Sequence, residues 1–144
     1  MRALLDVNVL IALLDSAHVH HDSAMSWLER EIHHGWASCP ITQIGCIRIM
    51  SHPSYPGTLP LREVAARLGE AIKGPEHEFW PDELGLIGVR SFDWSWILGH
   101  RQVTDAYLLA LAVSHGGRLV TFDRKISFKA VLGATKEHLF CIES

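Results

Sequence analysis

The sequence predicts an α/β fold on a mostly parallel sheet, and two observations predict it. Short apolar runs alternate with segments of helical period along the whole chain. Gly and Pro fall between these segments, as in Gly35, Pro56-Gly57, Gly74-Pro75 and Gly116-Gly117. Strands that alternate with helices close into parallel sheets covered on both faces. At 144 residues the chain, positions 1–144, is expected to form one domain. A domain of that size buries roughly 70% of its unfolded surface and needs no disulfide or structural metal.

The elements follow in order. Arg2 to Leu5 reads as a buried strand that stops at Asp6, and Val9 to Leu14 as a helix apolar on most sides. His21 to His34 carries Met25, Leu28 and Ile32 at helical spacing, with Trp27 alongside, and Gly35 is placed to end it. Trp36 to Cys39 reads as a strand. Pro40 opens a helix through Ile44, Ile47 and Arg48 that ends before Ser51-His52-Pro53. Ser54 to Pro60 reads as loop, and Leu61 to Ile72 as a helix with Val64, Leu68 and Ile72 on one face. Glu78 to Trp80 reads as a short strand. The stretch from Asp82 to Gly99 carries the weakest pattern, with a short helix expected around Trp94 to Leu98. Thr104 to His115 reads as an apolar helix with Thr104 as its N-cap. Arg118 to Thr121 reads as a strand ending near Asp123, and His138 to Ile142 as the last strand.

Composition removes several function classes. The hydrophobic fraction is 48%, which rules out a disordered chain. The net charge of −3, with ten histidines counted neutral, announces no general nucleic-acid binder, so any basic face is local. Basic residues do recur late, at Arg118, Arg124, Lys125, Lys129 and Lys136, and taken alone they read as solvated surface. The three cysteines, Cys39, Cys46 and Cys141, show no zinc spacing and read as reduced cytosolic thiols, which points to a cytoplasmic protein. The apolar start is broken by Asp6 and Asn8, so it reads as neither a signal peptide nor a membrane span, which needs ~20 apolar residues.

Two predicted strands finish beside an aspartate, Asp6 and Asp123, and a third aspartate, Asp105, opens an apolar helix. Ligands in open parallel sheets gather beyond the carboxyl ends of the strands. Each acid has a plain structural alternative. Asp6 can cap the following helix, Asp105 can complement a helix dipole, and Asp123 can sit in a turn. Asn8 can orient Asp6 or cap the helix itself. If the strands neighbour one another, the three carboxylates converge, and a divalent cation relieves their repulsion. Ligation by oxygen alone selects Mg²⁺ or Mn²⁺ over zinc and suits phosphate chemistry.

The segments Leu4-Leu5-Asp6-Val7-Asn8-Val9-Leu10, Cys39-Pro40-Ile41-Thr42-Gln43 with Arg48, Val103-Thr104-Asp105 through Ala112, and Leu119-Val120-Thr121-Phe122-Asp123 resemble the PIN-domain family, and within it the VapC toxins. Their order and spacing agree with a complete small PIN domain. The resemblance implies a three-layer α/β/α domain with a central mostly parallel sheet. It also implies an acidic site for Mg²⁺ or Mn²⁺ at Asp6, Asp105 and Asp123, and endoribonuclease activity on tRNA, rRNA or mRNA. The implied partners are a cognate VapB-type antitoxin and a second copy of the chain in a homodimer, with larger assemblies on the antitoxin. Gln43 stands where the family often has Glu; it offers a neutral amide and lowers the site's charge.

Thr104 and Thr121 can hydrogen-bond the carboxylates or serve as a cap and a strand residue. Arg48, on the same expected helix as Gln43, can contact phosphate or hold the helix through an acid. The cluster His18, His20 and His21 reads as surface rather than as a metal site, and His33-His34 as favourable charge near a helix C-terminus. Trp94 and Trp96 can stack on RNA bases, although core or interface is the commoner use. Three functions compete. The first is an active metal-dependent endoribonuclease. The second is a degenerate PIN domain that binds antitoxin or RNA with weak catalysis because of Gln43. The third, an unrelated phosphotransfer or phosphatase domain using Asp6, lacks an Asp two residues on, where Asn8 stands.

Overall fold

In a computed structural model, which describes residues 1–143, five strands form one sheet in the order β3-β2-β1-β4-β5. The strands are β1 (Ala3–Leu5), β2 (Trp36–Ser38), β3 (His77–Phe79), β4 (Arg118–Thr121) and β5 (Leu139–Cys141). Every pairing is parallel, so the expected mostly parallel sheet is wholly so. The helices are α1 (Val7–Leu14), α2 (His21–Glu31), α3 (Pro40–Met50), α4 (Leu61–Ala71) and α5 (Gln102–Ser114).

Side chains alternate across the strands, and both faces are covered. Leu4 and Leu119 pack with Leu108, Leu109 and Leu111 of α5. Ala3, Leu5 and Val120 face the other way, toward Val9 and Leu10 of α1, Trp27 of α2, Cys46 and Met50 of α3, and Val64 and Leu68 of α4. Burial on both faces explains why the strands read as continuous apolar runs.

The chain steps outward from β1 through β2 to β3, then crosses back to place β4 on the other side of β1. The order reverses between β1 and β4, and that is where an open parallel sheet leaves a crevice at its carboxyl edge. The register fixes what flanks it. Leu5 pairs with Val120, and the Asp6 amide donates to the Val120 carbonyl at 2.9 Å. Asp6 therefore sits beside Thr121, two residues before Asp123.

Several boundaries differ from the sequence expectation. The helix expected over 21–34 tightens into a 3₁₀ turn at Ile32–His34, and Gly35 then breaks it at φ +79°. Thr104 is not the N-cap of α5. The chain already turns at Gly99 and His100, whose carbonyls accept from Gln102 and Val103, so the helix starts at Gln102 and Thr104 is exposed in its first turn. The edge strand β3 lies one residue earlier than expected because His77 pairs with Trp36. The weakly patterned stretch contains a 3₁₀ turn at Trp94–Trp96, pinned by a bridge between Phe92 and Val131. Among the described residues, no helix is long and apolar enough to cross a membrane, and the three cysteines are free.

Candidate active site

The crevice between β1 and β4 opens into a cleft of about 370 Å³ lined by Asp6, Asn8, Asp105 and Asp123, with His18, Ile49 and Tyr55 on its wall. Among the described residues, no Lys or Arg lines it.

Asp6 is 7% exposed and does two structural jobs. As the N-cap of α1 it accepts the Val7 amide on Oδ1 at 2.8 Å, and Oδ2 accepts the Thr121 hydroxyl at 2.7 Å. Thr121 Oγ1 also accepts the Asp123 amide at 3.0 Å and the Asn8 side-chain amide at 3.5 Å. Two of its three partners are N–H donors, so its single proton is committed to Asp6. Asn8 thus supports Asp6 through Thr121. The Asn8 Oδ1 is buried and has no partner among the described residues.

Asp123 accepts the Lys125 amide on Oδ1 at 2.8 Å, a local turn that orients the carboxylate. Asp105 projects from the first turn of α5. Burial, then the charges of Asp6 and Asp123, push its carboxyl up to about 7. Burial also raises Asp6, against the lowering effect of its hydrogen bonds to Thr121 and Val7, with Asp123 adding a smaller push upward. Three acids therefore share one field, and no basic side chain of the wall offsets it. His18 does not supply that charge, because burial followed by the charge of His20 lowers its pKa.

This donor set fits a hard divalent cation. Three carboxylate residues line one space, Asn8 beside them keeps a buried amide oxygen without a partner, and no sulfur-bearing residue is among the described residues of the wall.

Comparison with known proteins shows the family. The PIN-domain family model matches residues 3–132. The chain belongs to the PIN-domain family. It is 50% identical over 139 residues to Ribonuclease VapC44 of Mycobacterium tuberculosis, covering 96% of this chain and 98% of that one. It is 44% identical to Ribonuclease VapC39 of the same organism over 134 residues, covering 92% and 96%. In fold it is similar to a crystal structure of VapBC2 from Rickettsia felis bound to a promoter DNA fragment. The TM-score is 0.62 at 15% identity, with 99% of this chain and 100% of that one covered.

Within this PIN domain, His18, read from the sequence as surface, stands on the cleft wall because the turn after α1 folds back over the end of β1, whereas Gln43, Arg48, Thr104 and Thr121 are not among the residues that line it. Gln43 donates through Nε2 to Ser38 Oγ at 3.0 Å, and Ser38 in turn bonds His77 Nε2 at 2.8 Å. Arg48 and Thr104 are exposed, and neither side chain has an ion pair or hydrogen bond among the described residues. Sequence reasoning missed Ile49 and Tyr55, and gave His18 no place at the site. They lie in or near loops after α1 and α3, and only the fold returns them to β1. Tyr55 is fixed there by donating its hydroxyl to Asp15 Oδ2. A second cluster, Glu31, His33 and His34, brings possible ligand atoms within 4.8 Å of one another. It precedes β2, at the amino edge of the sheet, and Glu31 there already faces the Arg118 guanidinium at 3.6 Å.

Proposed function

We propose that this PIN domain is a cytoplasmic, divalent-metal-dependent endoribonuclease of the VapC toxin type, held in check by a VapB-type antitoxin and acting as a homodimer. The observation that carries the reading is the convergence of Asp6, Asp105 and Asp123 on one cleft at the sheet's switch point, with no Lys or Arg among the described residues of its wall. The VapC ribonucleases it resembles supply the substrate class, and the VapBC complex of similar fold supports the antitoxin partner.

Asp6, Asp105 and Asp123 hold Mg²⁺ or Mn²⁺. When bound, the cation neutralises the carboxylates, polarises the scissile phosphodiester and acidifies water. Thr121 and the α1 N-terminus fix Asp6 at both oxygens, so the site is organised before RNA arrives. Asp105 or Asp123 accepts the proton of the attacking water at a carboxylate oxygen. In-line attack leaves a 5′-phosphate and a 3′-hydroxyl. Arg48, exposed and one residue before Ile49 of the cleft wall, contacts an RNA phosphate. Gln43 adds no charge and is engaged by Ser38, so the site works with three acids.

The test is cleavage of a fluorogenic structured RNA by the purified protein with Mg²⁺, Mn²⁺ or EDTA, and by Asp6→Asn. Metal-dependent cutting that falls at least about a hundredfold in Asp6→Asn, with unchanged circular dichroism, is the expected result. Cutting that survives in EDTA, or in Asp6→Asn, overturns it. Specific RNA or antitoxin binding without any cutting supports the degenerate binding module instead.

A further inference from the structure

Asp123 lines two clefts. Beyond the acidic one, a second cleft of about 310 Å³ is formed by Leu98, His100, Arg101, Gln102, Asp123 and Lys125. Its floor is knitted by Gln102, which accepts the Leu98 amide at 2.8 Å and donates to the Lys125 carbonyl at 3.5 Å. The Lys125 amide in turn holds Asp123. The lip of the acidic site and the floor of the second cleft are thus one hydrogen-bonded unit, and the Arg101 and Lys125 side chains are exposed beside it.

The same two chain segments continue into an aromatic ledge. Leu98 follows Trp96 by two residues, so the ledge starts within about 7 Å of the cleft lip along the chain. Lys129 lies with its Nζ 4.7 Å from the Trp96 ring centroid. Trp96 is 41% exposed and Trp94 47% exposed. An exposed Trp on a mobile loop would mean little, but this one is anchored. Phe92 is buried and bridges Val131, Asp93 donates its amide to the Ala130 carbonyl, and Leu132 donates to Ser91. The nearby acid, Asp93, accepts the Ser95 amide and hydroxyl on Oδ1, which holds it in the local turn. In a chain of net charge −3, an acidic centre thus opens directly onto a cationic, aromatic strip.

We propose that this strip binds the single-stranded RNA flanking the scissile bond, with phosphates on Arg101 and Lys125 and an unpaired base stacked on Trp96. The inference rests on the ribonuclease reading and adds to it the substrate form: an unpaired strand that runs across Asp123. Alternating cations and aromatic faces are how proteins hold single strands, with stacking that tolerates any base, whereas a duplex keeps its bases inside and offers Trp96 no face.

Binding of a dye-labelled oligouridine about ten nucleotides long to the Asp6→Asn protein, read by fluorescence anisotropy across a salt series, tests this without cleavage. In the Asp6→Asn background, Trp96→Ala is expected to weaken binding about tenfold, and Trp96→Phe, which keeps a stacking face, to restore most of it. Arg101→Ala and Lys125→Ala are each expected to flatten the slope of log K against log salt by about 0.7. With Asp6 intact, Trp96→Ala is expected to raise KM on the oligomer and leave kcat on a dinucleotide unchanged. Binding by these variants equal to the parent's, or polyglutamate competing as well as RNA does, overturns the strip. If the parent cuts RNA and Trp96→Ala cuts it with the same KM, the strip falls and the nuclease reading stands. If the oligomer binds with the expected dependences but is never cut, the nuclease reading falls and the strip stands.

Discussion

The residue that organises the acidic cleft is Thr121, an uncharged one. It is fully buried, and its hydroxyl proton is committed to Asp6 because its other partners, the Asp123 amide and the Asn8 side chain, are donors. Thr121→Val keeps the shape and removes that donor. Asp6 then stays buried with one hydrogen bond fewer, which costs about 1–3 kcal/mol. The expected outcome is a lower urea midpoint and at least about tenfold slower RNA cleavage, with Thr121→Ser restoring both. Cleavage by Thr121→Val at the parent rate would remove Thr121 from the site. The three aspartates were legible in the sequence because each marks a strand end or helix start beside apolar structure. The structural alternatives hold in the fold as well: Asp6 caps α1 and Asp123 holds a turn through Oδ1. The place of His18 and Tyr55 on the cleft wall was not legible, because no local pattern records which loop folds back over a strand end.

At the scale of elements, the position of Asp6 depends on how closely α1 and α3 approach. Gly45 of α3 lies against Val7, the residue after Asp6, and a Cβ built there would stand 2.7 Å from Val7 Cγ2. Val has little rotameric freedom in a helix, so the methyl cannot be evaded by side-chain rotation. Gly45→Ala therefore separates the helices and is expected to destabilise the fold by about 1–3 kcal/mol. Gly69 of α4 is the control, since a Cβ there meets nothing within 4 Å. Gly69→Ala is expected to stabilise by up to about 1 kcal/mol through helix propensity alone. Urea denaturation of both variants checks the opposite signs; two destabilising results would refute the packing argument. The element order was readable from hydrophobic period and Gly/Pro punctuation, but the ends were not. The start of α5 is set by turn bonds from Gly99 and His100 rather than by Thr104, and the stretch before it is ordered by a bridge to Val131, nearly forty residues on.

For the whole molecule, the reversal of strand order between β1 and β4 concentrates negative charge at one end of the sheet, and this makes stability depend on pH and metal together. Asp105 titrates near 7 in the folded chain, against 3.8 for an ordinary Asp, and Asp6 is raised as well. A raised carboxyl keeps its proton in the folded state after the unfolded chain has released it. Its stabilising contribution is complete below about pH 4 and is lost as pH climbs through about 7. His18 and His77 run the other way, because burial lowers both, so folding loses stability as pH falls below their ordinary 6.5. Comparison with Asp105→Asn isolates the acid, since the histidines are common to both proteins. In EDTA, Asp105→Asn is expected to melt several degrees above the parent at pH 8, with the gain shrinking toward pH 5 as the parent's own carboxyl takes up its proton. Mn²⁺ is expected to reverse the order at pH 8, because a cation bound only by the folded state stabilises the protein that holds it more tightly. Melting curves for the two proteins at both pH values, with EDTA and with Mn²⁺, decide it. An Asp105→Asn protein that melts with the parent in EDTA at pH 8, and gains as much from Mn²⁺, would mean that the three acids do not share a field.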